Sequence, residues 1–145
     1  MIQPKLKPVA LVPTVDVDAI CQSYVNRTAK IGVIGLGYVG LPLSSAICNA
    51  GFQAVGFDID LSKINKLKKG ETYIGNIHND KISEFVTDKK FVPTNNFDLL
   101  SEVDAIIMCV PTPLNRNREP DMTYIIETTK SIAPRLKRGQ LIVLE

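Results

Sequence analysis

The sequence predicts an α/β chain, a doubly wound parallel sheet with helices on both faces. Three observations carry that expectation. Short apolar runs rich in β-branched residues alternate with segments of helical period. The first such run opens into a glycine turn spaced G-x-G-x-x-G. The run Ala105–Val110 is apolar throughout, as a strand must be when both faces of its sheet are covered. At 145 residues, 45% hydrophobic and 22% charged, the chain has the size and composition of about one ordinary globular domain.

Residues 1–28 read as an N-terminal extension. Pro4, Pro8 and Pro13 argue for an extended lead. Asp16 or Asp18 could then cap a short helix through Tyr24, with Ile20 and Tyr24 on one side. This arm is expected to lie on the domain or remain partly disordered.

From Ala29 the pattern sharpens. Ile31, Val33 and Ile34 form a strand, and Gly35, Gly37 and Gly40 follow it. The first glycine permits a tight turn, the second lets backbone approach a pyrophosphate, and the third lets the next helix pack close to the strand. That helix starts with free N–H groups and a dipole that favours a doubly negative diphosphate. Val39, Leu43, Ala46, Ile47 and Ala50 recur at helical spacing and predict its buried face. Pro42 fits the first turn, and Gly51 stands where a left-handed stop belongs.

A second strand, Gln53–Asp58, stays apolar until its last residue. Asp58 follows Gly40 by eighteen positions, where an acid holds the adenosine ribose hydroxyls and repels the 2′-phosphate of NADP. Strand, glycine turn, helix, strand and terminal acid together predict a Rossmann-type dinucleotide-binding unit that takes NAD. Asp60 predicts the cap of a helix Leu61–Lys69 closed by Gly70, with Ile64 and Leu67 inward. Lys63, one turn past the strand, either reaches the adenosine ribose or is simply solvated.

Glu71–Asn79 has no clear period and reads as a loop across the sheet edge. His78, the sole histidine, reads better as a surface or capping residue than as a catalytic base. Ile82, Phe85 and Val86 predict a short helix, Phe91-Val-Pro a third strand, and Asn95–Leu100 a brief helical turn. The strand Ala105–Val110 ends in Pro111-Thr-Pro-Leu114. Ligands of open α/β sheets sit outside the carboxyl ends of the strands, so this turn is placed to line the nicotinamide half of the cofactor. Thr112 can donate or accept a hydrogen bond there; otherwise Pro-Thr-Pro is an ordinary rigid turn. After the polar connection Asn115–Glu119, Asp121 should cap the longest helix, with Met122, Ile125, Ile126, Thr129, Ile132 and Ala133 on its buried face. Pro134 ends or kinks it, and Gly139 precedes a last strand, Gln140–Leu144. Right-handed crossovers then give the strand order 3-2-1-4-5, a sheet truncated after about five strands at the point beyond which a dehydrogenase places its catalytic groups.

A net charge of +2 with dispersed lysines argues against nucleic acid as the main partner. No run approaches the roughly 18 apolar residues of a membrane span. Val9–Val12, broken by Pro13, is too short for a signal peptide. Cys21, Cys48 and Cys109 lack C-x-x-C spacing and read as free thiols of a reducing cytoplasm. No metal-ligand spacing appears.

Four blocks also carry a resemblance: Ile34–Leu43, Gly56–Asp60, Cys109–Asn115 and Arg118–Met122. They resemble the nucleotide-sugar 6-dehydrogenases, from about residue 29 to 145, and within that family the sugar implied is UDP-N-acetylglucosamine, in surface-polysaccharide synthesis. The resemblance implies NAD-dependent, two-step oxidation of the sugar C6 alcohol to a carboxylate, in an enzyme that is homo-oligomeric at full length. In the family a cysteine of a later domain holds the aldehyde as a thiohemiacetal until a second NAD accepts the second hydride, assisted by a lysine and an aspartate. None of those positions falls within this sequence, and Cys109, inside a strand, is not the nucleophile.

Cofactor positions are what the resemblance carries over. Gly35, Leu36, Gly37, Tyr38, Val39 and Gly40 match the diphosphate loop, Asp58 the ribose acid, and Lys63 a basic residue near that ribose. Val110, Pro111 and Thr112 match the turn on the nicotinamide side. The expectation is the NAD-binding domain of such an enzyme over residues 29–145, inactive alone. The alternatives are a standalone NAD-binding regulatory or scaffold module and another oxidoreductase class, such as a hydroxy-acid dehydrogenase.

Overall fold

The computed structural model describes residues 14–75 and 77–145. The prolines Pro4, Pro8 and Pro13, and so the expected extended lead, lie outside them. Chain order is α1 (Val17–Val25), β1 (Lys30–Ile34), α2 (Gly40–Asn49), β2 (Gln53–Phe57), α3 (Leu61–Lys68), α4 (Asn79–Thr87), β3 (Phe91–Thr94), β4 (Ala105–Met108), α5 (Thr123–Ile132) and β5 (Leu141–Leu144). Short 3-10 segments occupy Phe97–Glu102 and Ala133–Arg135. All pairings among these five strands are parallel, in the order β3-β2-β1-β4-β5 expected from the crossovers.

Strand alternation divides the core. Val33, Ala54 and Phe91 face one side of the sheet, where Leu41 and Cys48 of α2, Ile64 and Leu67 of α3, and Ile82 and Phe85 of α4 cover them. Ile34, Val55, Phe57, Ile106 and Met108 face the other side, against Leu100, Val103 and Ile132. The local caps follow their side chains. Asp16 accepts the Ala19 N–H at 2.9 Å and starts α1, while Asp60 accepts the Ser62 N–H at 2.8 Å and starts α3. Hydrogen bonds from Ser62 hold the exposed Asp60 carboxyl below its usual range. Pro93 lies in β3, an edge strand, where a missing N–H is tolerated.

Two helix faces differ from expectation. In α2 the buried residues are Gly40, Leu41, Ser44 and Cys48; Val39, Ala46 and Ala50 are exposed, and Leu43 and Ile47 only half-buried. The helix turns its smallest residues toward the sheet because Gly40 must pass close beside the β1 turn, and that rotation carries Val39 outward. In α5, Ile125, Thr128 and Ile132 face inward, while Met122, Ile126, Thr129 and Ala133 are exposed. At ten residues α5 is no longer than α2. Asp121 accepts the Thr123 N–H at 3.0 Å, although the last non-helical residue is Met122. β4 stops at Met108, short of the expected Val110, although the Cys109 N–H still donates to the Ile34 carbonyl at 2.8 Å.

The α1 helix lies on the domain. Tyr24 packs against Ala29, Ile31 and Ala105 at the amino end of the sheet, and Ile20 reaches Gly139. Burial first, and the Asp104 carboxylate second, push the Tyr24 phenol upward.

Candidate functional site: a cleft at the carboxyl ends of the strands

The β1 turn is built by close approach. Gly35 has φ +90°, and a Cβ there would stand 2.6 Å from the Cys109 carbonyl oxygen. A Cβ on Gly40 would collide with the Gly35 carbonyl. These two glycines therefore let α2 begin directly above β1, with β4 alongside. Gly37 differs: a Cβ there would meet nothing within 4 Å. Its missing side chain leaves open space over the turn, the condition for a ligand to lie against the backbone.

Asp58 follows β2 and is 7% exposed. Its Oδ2 accepts the Leu36 N–H at 2.9 Å and its Oδ1 accepts the Asp60 N–H at 2.9 Å. Lys63 Nζ stands 3.4 Å from Oδ2. A carboxylate this buried requires such donors, and these three leave lone-pair capacity for further hydroxyl donors. Tyr73, on the loop before α4, donates its hydroxyl to the Leu36 carbonyl at 2.6 Å, with Lys63 Nζ 5.9 Å from its ring.

The glycine turn, Asp58 and Lys63 border one cleft of about 770 Å³. Gly35, Gly37, Tyr38, Val39, Asp58 and Lys63 line one half, and Val110, Pro111 and Thr112, after β4, line the other. Leu36 is fully buried beneath the turn, and Gly40 is buried at the start of α2. Tyr38 is 85% exposed at the rim. Every residue singled out from the glycine spacing, the terminal acid and the Pro-Thr-Pro turn thus borders or underlies a single space. Sequence reasoning missed Ile59, Phe97, Tyr124 and Thr128 on its walls, and Tyr73 behind it. Only the contact of the β1 turn with the loop before α4 reveals Tyr73; no spacing in the chain signals it.

Cys109 also borders the cleft, at the point where β4 leaves the sheet. Burial, and then the Glu145 carboxylate, raise its thiol pKa, the reverse of what activates a nucleophile. His78 is exposed at the amino end of α4 and makes no side-chain cap bond. Among the described residues no group of three or more His, Cys, Asp or Glu could hold a metal ion, and no helix is long and apolar enough to cross a membrane.

A left-handed glycine turn, an open Gly37, and a buried carboxylate at the next strand end, all on one cleft, define a dinucleotide-binding α/β domain. The sequence model of the UDP-glucose/GDP-mannose dehydrogenase family, NAD binding domain, matches residues 29–145, and the chain belongs to that family. The UDP-N-acetyl-D-mannosamine dehydrogenase of Escherichia coli (strain K12) is 37% identical over 117 residues, covering 81% of this chain and 27% of the relative. The structure of the UDP-D-ManNAc dehydrogenase from Pyrococcus horikoshii superposes with a TM-score of 0.74 at 31% identity, over 80% of this chain and 28% of that one. An NDP-N-acetyl-D-galactosaminuronic acid dehydrogenase from Methanosarcina mazei Go1 gives 0.75 at 29% identity, over 92% and 30%. The chain therefore spans little more than a quarter of the length of the curated relatives it matches.

Proposed function

We propose that this chain is the NAD-binding part of a UDP-sugar 6-dehydrogenase, over residues 29–145, with residues 1–28 an added N-terminal arm. The observation that carries the proposal is the convergence of the glycine turn, Asp58 and the Pro111-Thr-Pro113 turn on one cleft. In this reading the backbone of Gly35 to Gly40, through Leu36, Tyr38 and Val39, holds the diphosphate. Asp58 accepts hydrogen bonds from the adenosine ribose, Lys63 holds that carboxylate in place, and the negative charge excludes a 2′-phosphate. Val110, Pro111 and Thr112 set the nicotinamide against the carboxyl end of β4, with the Thr112 hydroxyl available to orient it. Bound NAD supplies the hydride acceptor for each of two oxidations at the sugar C6.

The sugar is a UDP-N-acetylhexosamine. Similarity to the UDP-N-acetyl-D-mannosamine dehydrogenases favours the manno epimer, while the sequence blocks around Gly37 and Pro111 resemble the gluco enzyme. At full length the enzyme is a cytoplasmic homo-oligomer that engages neither nucleic acid nor membrane. The test supplies the full-length protein and the 145-residue chain separately with NAD and each UDP-sugar. Full-length protein should form NADH with one epimer in preference, and the chain alone should form none. NADH from the chain alone, with contaminating enzyme removed, would contradict the reading as a cofactor-binding part. Absence of turnover by full-length protein with any UDP-sugar would favour a binding module.

A further inference from the structure

We infer that Tyr73 is a positioning residue for the diphosphate: its hydroxyl, bonded to the Leu36 carbonyl, fixes the Leu36–Gly37 peptide so that the Gly37 N–H faces the cleft. The inference rests on the cofactor reading above. Tyr73 stands behind the turn, lining the neighbouring hollow with Thr72, Ile74 and Asn79, whereas Gly37 lines the cleft itself. In a planar trans peptide the C=O and N–H point in opposite directions, so holding one aims the other. The 2.6 Å bond from Tyr73 holds the Leu36 oxygen, and Asp58 separately holds the Leu36 N–H at 2.9 Å. The two peptides that flank Leu36 are thus fixed from different elements, one by β2 and one by the loop before α4. Among the described residues, no backbone acceptor takes the N–H of Gly37 or of Tyr38. Those donors remain for an anion, and their direction is set in advance.

Tyr73 is suited to a fixed donor role. Burial first, and then the Asp58 and Asp60 carboxylates, hold its phenol far above the ordinary value, so the proton stays on the oxygen throughout the working range. Its ring packs beside the Leu36 cluster and faces Lys63. Tyr73→Phe keeps that ring and deletes only the hydroxyl.

The test measures the Kd of ADP and of adenosine for the 145-residue chain and for Y73F, alongside their melts without ligand. ADP affinity should fall about tenfold, as for one lost hydrogen bond, while adenosine affinity stays within about twofold. Lys63→Met provides the contrast, because it acts at the ribose end and should weaken both ligands alike. Equal loss of ADP and adenosine in Y73F, or no loss of either, would overturn the inference. So would a Y73F chain without a cooperative melt, since the hydroxyl would then support the fold and not the turn. Failure of the unsubstituted chain to bind ADP would instead overturn the cofactor reading on which the inference rests.

Discussion

The Asp58 carboxylate accepts the Leu36 N–H at 2.9 Å, across 22 residues of sequence, and so ties the end of β2 to the turn that follows β1. The proposed cofactor site gives this one group two tasks: to shape the turn for the diphosphate, and to face the ribose with the lone pairs that remain. Asp58→Asn replaces one acceptor oxygen with a donor and removes the partner of Lys63. NAD affinity should fall about 10- to 100-fold, the size of a charge-assisted hydrogen bond of about 1.5–3 kcal/mol, and rejection of NADP should relax. Titration of both cofactors checks this, and an unchanged preference would remove Asp58 from the ribose.

Gly37 and Gly40 lie three residues apart and should respond in opposite ways. Gly37→Ala places a methyl in open space, so the chain should melt near its usual temperature yet bind NAD at least tenfold more weakly. Gly40→Ala drives a Cβ into the Gly35 carbonyl, and the start of α2 must shift. That variant should lose thermal stability whether or not cofactor is present. Paired melts and titrations separate the two effects. A Gly37→Ala chain that binds NAD normally would show that the diphosphate lies elsewhere.

The three cysteines should differ in reactivity. Cys21 is exposed, Cys109 half-buried at the cleft, and Cys48 buried with its thiol pushed up to about 11 by burial. At pH 8 a thiol reagent should modify Cys21 first, Cys109 more slowly and still more slowly with NAD present, and Cys48 only on unfolding. A raised thiol pKa means that the unfolded chain ionises first. Cys48 therefore contributes stability below about pH 9 that is lost as pH rises toward 11. Melts across that range should fall, and Cys48→Ala should flatten the slope. Rapid labelling of Cys109 that NAD does not slow would argue against its place beside the cofactor.

The parts of this domain that depend on local chemistry are legible in the chain. The glycine spacing, the apolar strands and the capping aspartates fix the elements, and chirality of the crossovers fixes their order. Helix faces are less legible. Apolar spacing in α2 selects Val39 and Ala46, but close passage of Gly40 over the β1 turn rotates Ser44 and Cys48 inward instead. In α5 two apolar stripes compete, and only packing against Leu100 and Val103 decides for Ile132. Within the site, Asp58 and the turns are visible because their positions relative to strand ends carry the chemistry. Tyr73 is not, because its bond to Leu36 spans 37 residues and no motif contains it.

The most direct test of the account is a thermal melt of the purified 145-residue chain against increasing NAD and, separately, NADP. A ligand that binds only the folded state adds about 2.7 kcal/mol at a hundredfold excess over Kd, a rise of several degrees for a domain of this size. The account predicts a cooperative transition that NAD raises and NADP leaves nearly unmoved. A cooperative transition that NAD fails to raise would contradict it.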